Sequence, residues 1–304
     1  MPGYPFTGIF GRVPRGPALL ALAVASVAVA GVARGVEPTP AGVPDLVGAR
    51  ALAMSAYRGV AGGNDAIFTN AASLAARRRY SLETQWLLDR AGGDNAFQGY
   101  GASVVDSEMG SFTGGFAYTR VSSGPWQGNL FHVAAAFPLG NTFFVGGTGK
   151  YGSMNGPGGE HMSAGNIDVA AFWQAASLVT LGGGGYNLVN AGHKTVMPRG
   201  VGAGIAVGDE RRYRVAADWR GDFDRGRGKT TNLYAVGGEL LLADLLPVRA
   251  GYLRDETRNA SYWSAGFGVV TSSGVAIDAS FRQGIERSDD RTFAIGLKLF
   301  LFSQ

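Results

Sequence analysis

From Arg79 to the C-terminus the chain repeats one device: segments of about ten residues in which apolar side chains recur at every second position. "RYRVAADWRG" (Arg212 to Gly221) shows it, with Tyr213, Val215, Ala217 and Trp219 on one side and Arg212, Arg214, Ala216, Asp218 and Arg220 on the other. Successive side chains of a strand point to opposite faces, so this period predicts β-structure with one apolar and one polar face. About fourteen such segments follow one another, with cores near 79–88, 96–105, 111–121, 129–138, 142–151, 165–174, 178–188, 200–207, 211–221, 231–242, 246–254, 261–271, 274–283 and 291–302. Ordinary strands run to about five or six residues, whereas a strand tilted across a bilayer needs about ten. The expected fold is all-β: a transmembrane antiparallel barrel.

The faces and connections agree. Val275, Ile277, Ala279 and Phe281 oppose Ala276, Asp278, Ser280 and Arg282; Phe293, Ile295, Leu297, Leu299 and Leu301 oppose Ala294, Gly296 and Lys298. Apolar faces nearly free of charge suit outer-membrane lipid, and the charged faces then line a lumen. Closure removes the edge strands that hydrocarbon would not tolerate. Tight connections such as "PLGN" (138–141) and "GDER" (208–211) alternate with longer ones, "GSMNGPGGEHMSAG" (152–165), "NAGHKTVMPRG" (190–200) and "DFDRGRGKTT" (222–231). Short periplasmic turns and long external loops follow that rhythm.

The N-terminal region reads differently. Arg12 and Arg15 precede the apolar run "ALLALAVASVAVA" (18–30), which ends in an Ala-x-Ala and is too short to span a bilayer. Residues 1–30 are therefore expected to be a cleaved signal peptide, residues 31–46 a flexible proline-containing lead-in, 47–78 a separate N-terminal segment and 79–304 the barrel. Ala49 to Tyr57 favours a short helix, and Asn64-Asp65 reads as the N-cap of a second. With 49 glycines, no cysteine and 16% charged residues, stability must come from hydrogen bonds and packing. The net charge of +4 does not gather into a basic stripe, which argues against nucleic acid.

The segment "VGARALAMSAYRGVAGGNDAIFTNAASLA" resembles the N-terminal signature of the bacterial long-chain fatty-acid transporter (FadL-like) barrels and their secretion-associated relatives. Gly48, Ala49, Arg50, Met54, Ala56, Asp65, Ala66, Asn70, Ala72, Leu74 and Ala75 fit the pattern, and Lys150, Asp168, Asn187-Leu188, Asp218, Glu239, Arg249 and Asp278 continue it in order. The family's Asn-Pro-Ala is Asn70-Ala71-Ala72 here, and its Met-Gly-Gly is Met54-Ser55-Ala56. The resemblance implies a fourteen-stranded barrel in the bacterial outer membrane, with residues 47–78 entering the lumen as a hatch. It implies passage of small hydrophobic or amphipathic, fatty-acid-like molecules, the alternative being a non-transporting docking barrel for secreted or surface proteins.

Candidate site residues follow. Lys150 and Arg249 suit an anionic head group, and Phe144 and Phe172 are inward aromatics for an apolar ligand. Asp65 and Asn70 in the hatch, and Asp168, Asp218, Glu239, Asp278 and Arg282 on the wall, are expected to anchor the hatch, since buried charges are usually paired. "LGGGGY" (181–186) lacks the Lys-Ser/Thr and helix of a phosphate loop, and reads instead as a close backbone approach where the hatch packs. Arg77-Arg78-Arg79 reads as the hatch-to-barrel junction. His132, His161 and His193 form neither a metal-ligand spacing nor a nucleophile–base set, so no enzyme, metal or cofactor is expected.

Overall fold

A computed structural model describes residues 48–302 apart from 61, 91–96, 109–111, 190–196, 210 and 227–228; the expected signal peptide (1–30) and lead-in (31–46) lie outside these residues. The strands are β1 (Tyr80–Asp89), β2 (Phe97–Asp106), β3 (Thr113–Ser123), β4 (Trp126–Pro138), β5 (Phe143–Asn155), β6 (His161–Ala176), β7 (Val179–Tyr186), β8 (Gly200–Asp209), β9 (Tyr213–Gly226), β10 (Lys229–Leu242), β11 (Leu246–Asp255), β12 (Ala260–Val270), β13 (Val275–Gly284) and β14 (Arg291–Phe302). Each pairs antiparallel with its sequence neighbours, and β1 pairs with β14, closing the barrel.

The period-two pattern becomes the wall itself. In β9, Tyr213 and Val215 are 52% and 54% exposed to the outside, while Arg214 and Asp218 are 4% and 7% exposed and face inward. Ile277, Ile295, Leu297 and Leu299 carry the same apolar exterior around to β13 and β14. Arg212, expected to face the lumen, lies instead in the exposed turn before β9.

Two of the expected long loops are strand. β5 and β6 continue through Ser153↔Ser163 and Met154↔Met162, and β9 and β10 run almost to their turn, with Gly226 opposite Lys229. Beyond the bilayer a ladder needs no apolar face, so glycine, serine and asparagine replace the alternation that marks a strand. The 187–199 connection bridges the short β7 and β8.

Inside lies the hatch: α1 (Ala49–Met54), α2 (Ala66–Thr69) and a 3₁₀ turn, Ala71–Ala76, that leads into β1. Ala49, Ala51, Ala53, Ala66, Ala71, Ala72, Leu52, Met54, Ile67 and Leu74 are buried against the wall. α1 packs on β10 to β14 and the 3₁₀ turn on β3 to β6. The hatch therefore enters at the end where β1 begins, the near end; the opposite mouth is the far end. Asp65 precedes α2 as expected but makes no side-chain cap; its Oδ1 instead accepts the Gly48 N–H at 2.6 Å, closing the hatch on itself.

Candidate functional site

On the β9 to β12 side the hatch meets oriented polar groups. Asp218 accepts the backbone N–H groups of Tyr57 and Arg58 at 2.7 and 2.9 Å, and Arg58 also lies 3.4 Å from it as an ion pair. Arg50 donates two bonds to Glu239, at 3.0 and 2.7 Å, and Glu239 in turn accepts from Arg249 at 2.6 Å. Arg249 also holds Asp278 at 2.5 Å, which ties β13 into the same network. Ser264 Oγ donates to the Ala53 carbonyl at 2.8 Å and shares a hydrogen bond with Ser55 at 2.9 Å. Lys298 of β14 and Glu83 of β1 pair at 3.0 Å. A carboxylate gripped by two guanidiniums inside a barrel keeps its charge only because those partners replace water.

Asn70 and Arg58 link further strands. Asn70 donates to the carbonyls of Arg58 and of Ala171 in β6, at 3.0 and 3.2 Å. The Arg58 and Arg220 guanidiniums both lie over the Tyr186 ring, 5.5 and 5.1 Å from its centroid, and Tyr186 Oη donates to the Thr69 carbonyl at 3.0 Å. Arg58 has no signal in the sequence, because its partners come from β7 and β9.

Glycines make this fit possible. A Cβ on Gly251 would lie 2.5 Å from the Met54 carbonyl oxygen, one on Gly146 2.7 Å from the Ala72 nitrogen, and one on Gly204 2.8 Å from the Gly59 nitrogen. Cβ atoms on Gly182 and Gly237 would overlap the carbonyl oxygens of Arg58 and Met54. Gly182 belongs to "LGGGGY", whose glycine is thus a seat for the hatch backbone.

On the β2 to β6 side the contact is apolar. Ile67, Phe68, Ala71 and Leu74 pack with Ala117, Ala134 and Ala136, and the cluster continues towards the far end through Leu87, Phe97, Val121, Trp126, Leu130, Met154 and Met162. Only scattered polar bonds reach the hatch here, such as Thr148 Oγ1 to the Ile67 carbonyl at 3.0 Å.

The residues expected to bind a ligand are dispersed. Lys150 pairs with Asp168 at 2.5 Å and donates to Asn187 at 3.4 Å. Arg249 sits across the lumen between two carboxylates. Phe144 and Phe172, 6.3 Å apart, pack on Ala72 of the hatch. Two expected anchors also lie away from the hatch. Asp168 accepts the Asn187 N–H at 2.8 Å, fastening the root of the 187–199 connection, because the inner face of β6 turns it towards Lys150. Arg282, in the far half of β13, stacks 5.2 Å over Tyr262 and bonds Thr292 at 3.1 Å.

At the junction, burial and the neighbouring guanidiniums of Arg214 and Arg50 push Arg77 and Arg79 down to about 10. The Arg79 guanidinium lies 5.8 Å from the Phe300 ring. The hatch encloses a recess of about 20 Å³ among Arg50, Met54, Tyr57, Asp65 and Thr69, room for about one water.

No family model and no curated relative matches this sequence. Solved structures do match its architecture. A Pseudomonas aeruginosa FadL homologue aligns with 84% of this chain and 98% of its own, at TM-score 0.65 and 12% identity. The Ralstonia pickettii toluene transporter TbuX aligns with 86% and 99%, at TM-score 0.67 and 11% identity. The monoaromatic hydrocarbon channel CymD aligns with 84% and 96%, at TM-score 0.61 and 14% identity. At such identities the likeness establishes the fold: this chain is built as these barrels are.

Proposed function

We propose that the protein passes small hydrophobic molecules across the bacterial outer membrane, after export by its signal peptide. The observation that carries the reading is the one-sided apolar lining. Phe97, Val121, Trp126, Leu130, Met154 and Met162 face inward and lead from the far mouth to Ile67 and Phe68 of the hatch. Side chains directed into a lumen need not be apolar for a barrel to stand, since its exterior alone meets lipid. Where these packed side chains part, the apolar cluster offers a solute partitioning out of water a path, and the hatch at its end stops leakage of polar solutes.

The neighbours in fold include a toluene transporter and a monoaromatic hydrocarbon channel, which supports an apolar cargo for this chain as well. On this reading the far end faces outside and the near end the periplasm. Cargo enters at the far mouth, rests against the hatch, and leaves when the apolar side of the hatch gives way or laterally through the wall.

Native mass spectrometry of the barrel released in mild detergent tests this. The expected result is a small apolar adduct retained with the folded barrel and lost in Leu130→Glu. A stoichiometric protein partner with no small adduct would overturn the reading.

A further inference from the structure

On the β3–β4 wall above the hatch, Thr119 Oγ1 and His132 Nδ1 are buried without a hydrogen-bond partner among the described residues, and their residues are 1% and 8% exposed. The register sets Thr119 opposite Leu130 and Ala117 opposite His132. Thr119 and His132 are therefore diagonal neighbours on the inner face, within about 8 Å by ladder geometry. Gly101 faces Thr119 from β2, and a Cβ there would stand 3.1 Å from its hydroxyl and 3.2 Å from the Gln85 side chain, so the glycine leaves room for both.

Apart from Gln85 of β1 and Lys150 of β5, the surroundings are apolar. Phe68 of the hatch meets the His132 ring edge-on at 4.9 Å. Towards the far end follow Val121 on β3, Leu130 on β4 and Met154 on β5, all within the apolar cluster. Buried polar atoms in native proteins are nearly always bonded, and those that are not call for a ligand, a water or a mechanism.

We propose that Thr119 and His132 form a polar subsite in the apolar track, taking the single uncharged hydroxyl of an otherwise apolar molecule of about the size of a phenol. The inference rests on the passage reading above and narrows its cargo. A hydroxyl both donates and accepts, and so do the threonine hydroxyl and, according to tautomer, an imidazole nitrogen. Lys150 faces His132 from β5, but its ammonium already holds Asp168 at 2.5 Å. A carboxylate here would shed its hydration and meet the Asp168 charge behind that lysine, whereas a neutral hydroxyl does neither. The subsite thus selects phenols and alcohols over both fatty-acid anions and plain hydrocarbons.

Binding of phenol, toluene and octanoate to the purified full-length barrel in detergent tests the subsite. Phenol is expected to bind more tightly than toluene or octanoate. Thr119→Val and His132→Phe should each weaken phenol by about 2- to 10-fold, the range of one neutral hydrogen bond, and leave toluene within about twofold. Where a variant does not fold, the ring carbon resonances of His132 in the unmodified barrel decide: phenol moves them and toluene does not. Phenol and toluene binding alike, with the variants shifting both equally or the His132 ring unmoved by bound phenol, would mean that only water occupies the subsite and would overturn the proposal while leaving passage intact. Failure of all three probes to bind would overturn passage together with it.

Discussion

Between β9 and β12 the wall meets the hatch through directed bonds: Asp218 on two backbone amides, Glu239 on Arg50, Ser264 on the Ala53 carbonyl. Between β2 and β6 it meets the same hatch mainly through Ile67, Phe68 and Leu74 packed on small wall residues. Outside, the two halves are alike, because lipid asks the same of both. The inner difference divides labour. Charge-assisted bonds hold one arrangement and lose much when stretched, whereas apolar contacts slide and re-form at little cost. On the passage reading, the charged half is the fixed side of the hatch and the apolar half the side that yields.

Glu239→Ala gives the largest expected effect. It leaves Arg50 and Arg249 buried without their shared carboxylate, a loss of about 3–5 kcal/mol as for other broken buried pairs. Trypsin should then cut the folded barrel within the hatch, and the temperature at which the barrel band is lost on a semi-native gel should fall. Gly182→Val, which drives a side chain into the Arg58 carbonyl, should cost about 1–3 kcal/mol by overpacking, with a smaller fall on the same gel. Ile67→Val on the apolar side should cost about 0.5–1.5 kcal/mol and leave the hatch resistant to trypsin. If Ile67→Val exposed the hatch as readily as Glu239→Ala, the contrast between the halves would be broken.

The smallest effect sharpens the comparison from outside both halves. In the 285–290 connection, the Ser261 N–H donates to Glu286 at 2.7 Å and holds its carboxyl below the usual carboxylate range. A lowered pKa contributes stability that is present above the ordinary value and is lost as pH falls through the lowered one. The Ser261 amide resonance should therefore move in that acidic window while trypsin resistance of the hatch, governed by interior pairs, does not follow it.

Much of this was legible beforehand, and the reason is the bilayer. Lipid imposes an apolar residue at every second position, so each of the fourteen strands could be read within a few residues. Where that demand stops the reading stopped too: residues 152–155 and 161–165 looked like loop and are ladder. Inside the barrel, Asp218 and Glu239 do meet the hatch, but as acceptors for Tyr57, Arg58 and Arg50. Phe144, Phe172, Lys150 and Arg249 were grouped by facing inward, a property that says nothing of height or of which partner has taken the group. Arg58 went unread because its partners, Tyr186 and Asp218, stand on strands far from it in the chain, and alternation carries no such information.

The glycines that seat the hatch have an energetic consequence for assembly. Glycine is a poor strand former, and Gly146, Gly182, Gly204, Gly237, Gly251 and Gly266 each leave a dent where a side chain would have stiffened the sheet. An empty wall of this sequence is therefore weak along the strands that the hatch later braces. Sealing the ring where β14 meets β1 and seating the segment just upstream of β1 become one cooperative step, in which a mould and its casting set together and neither holds its final shape alone.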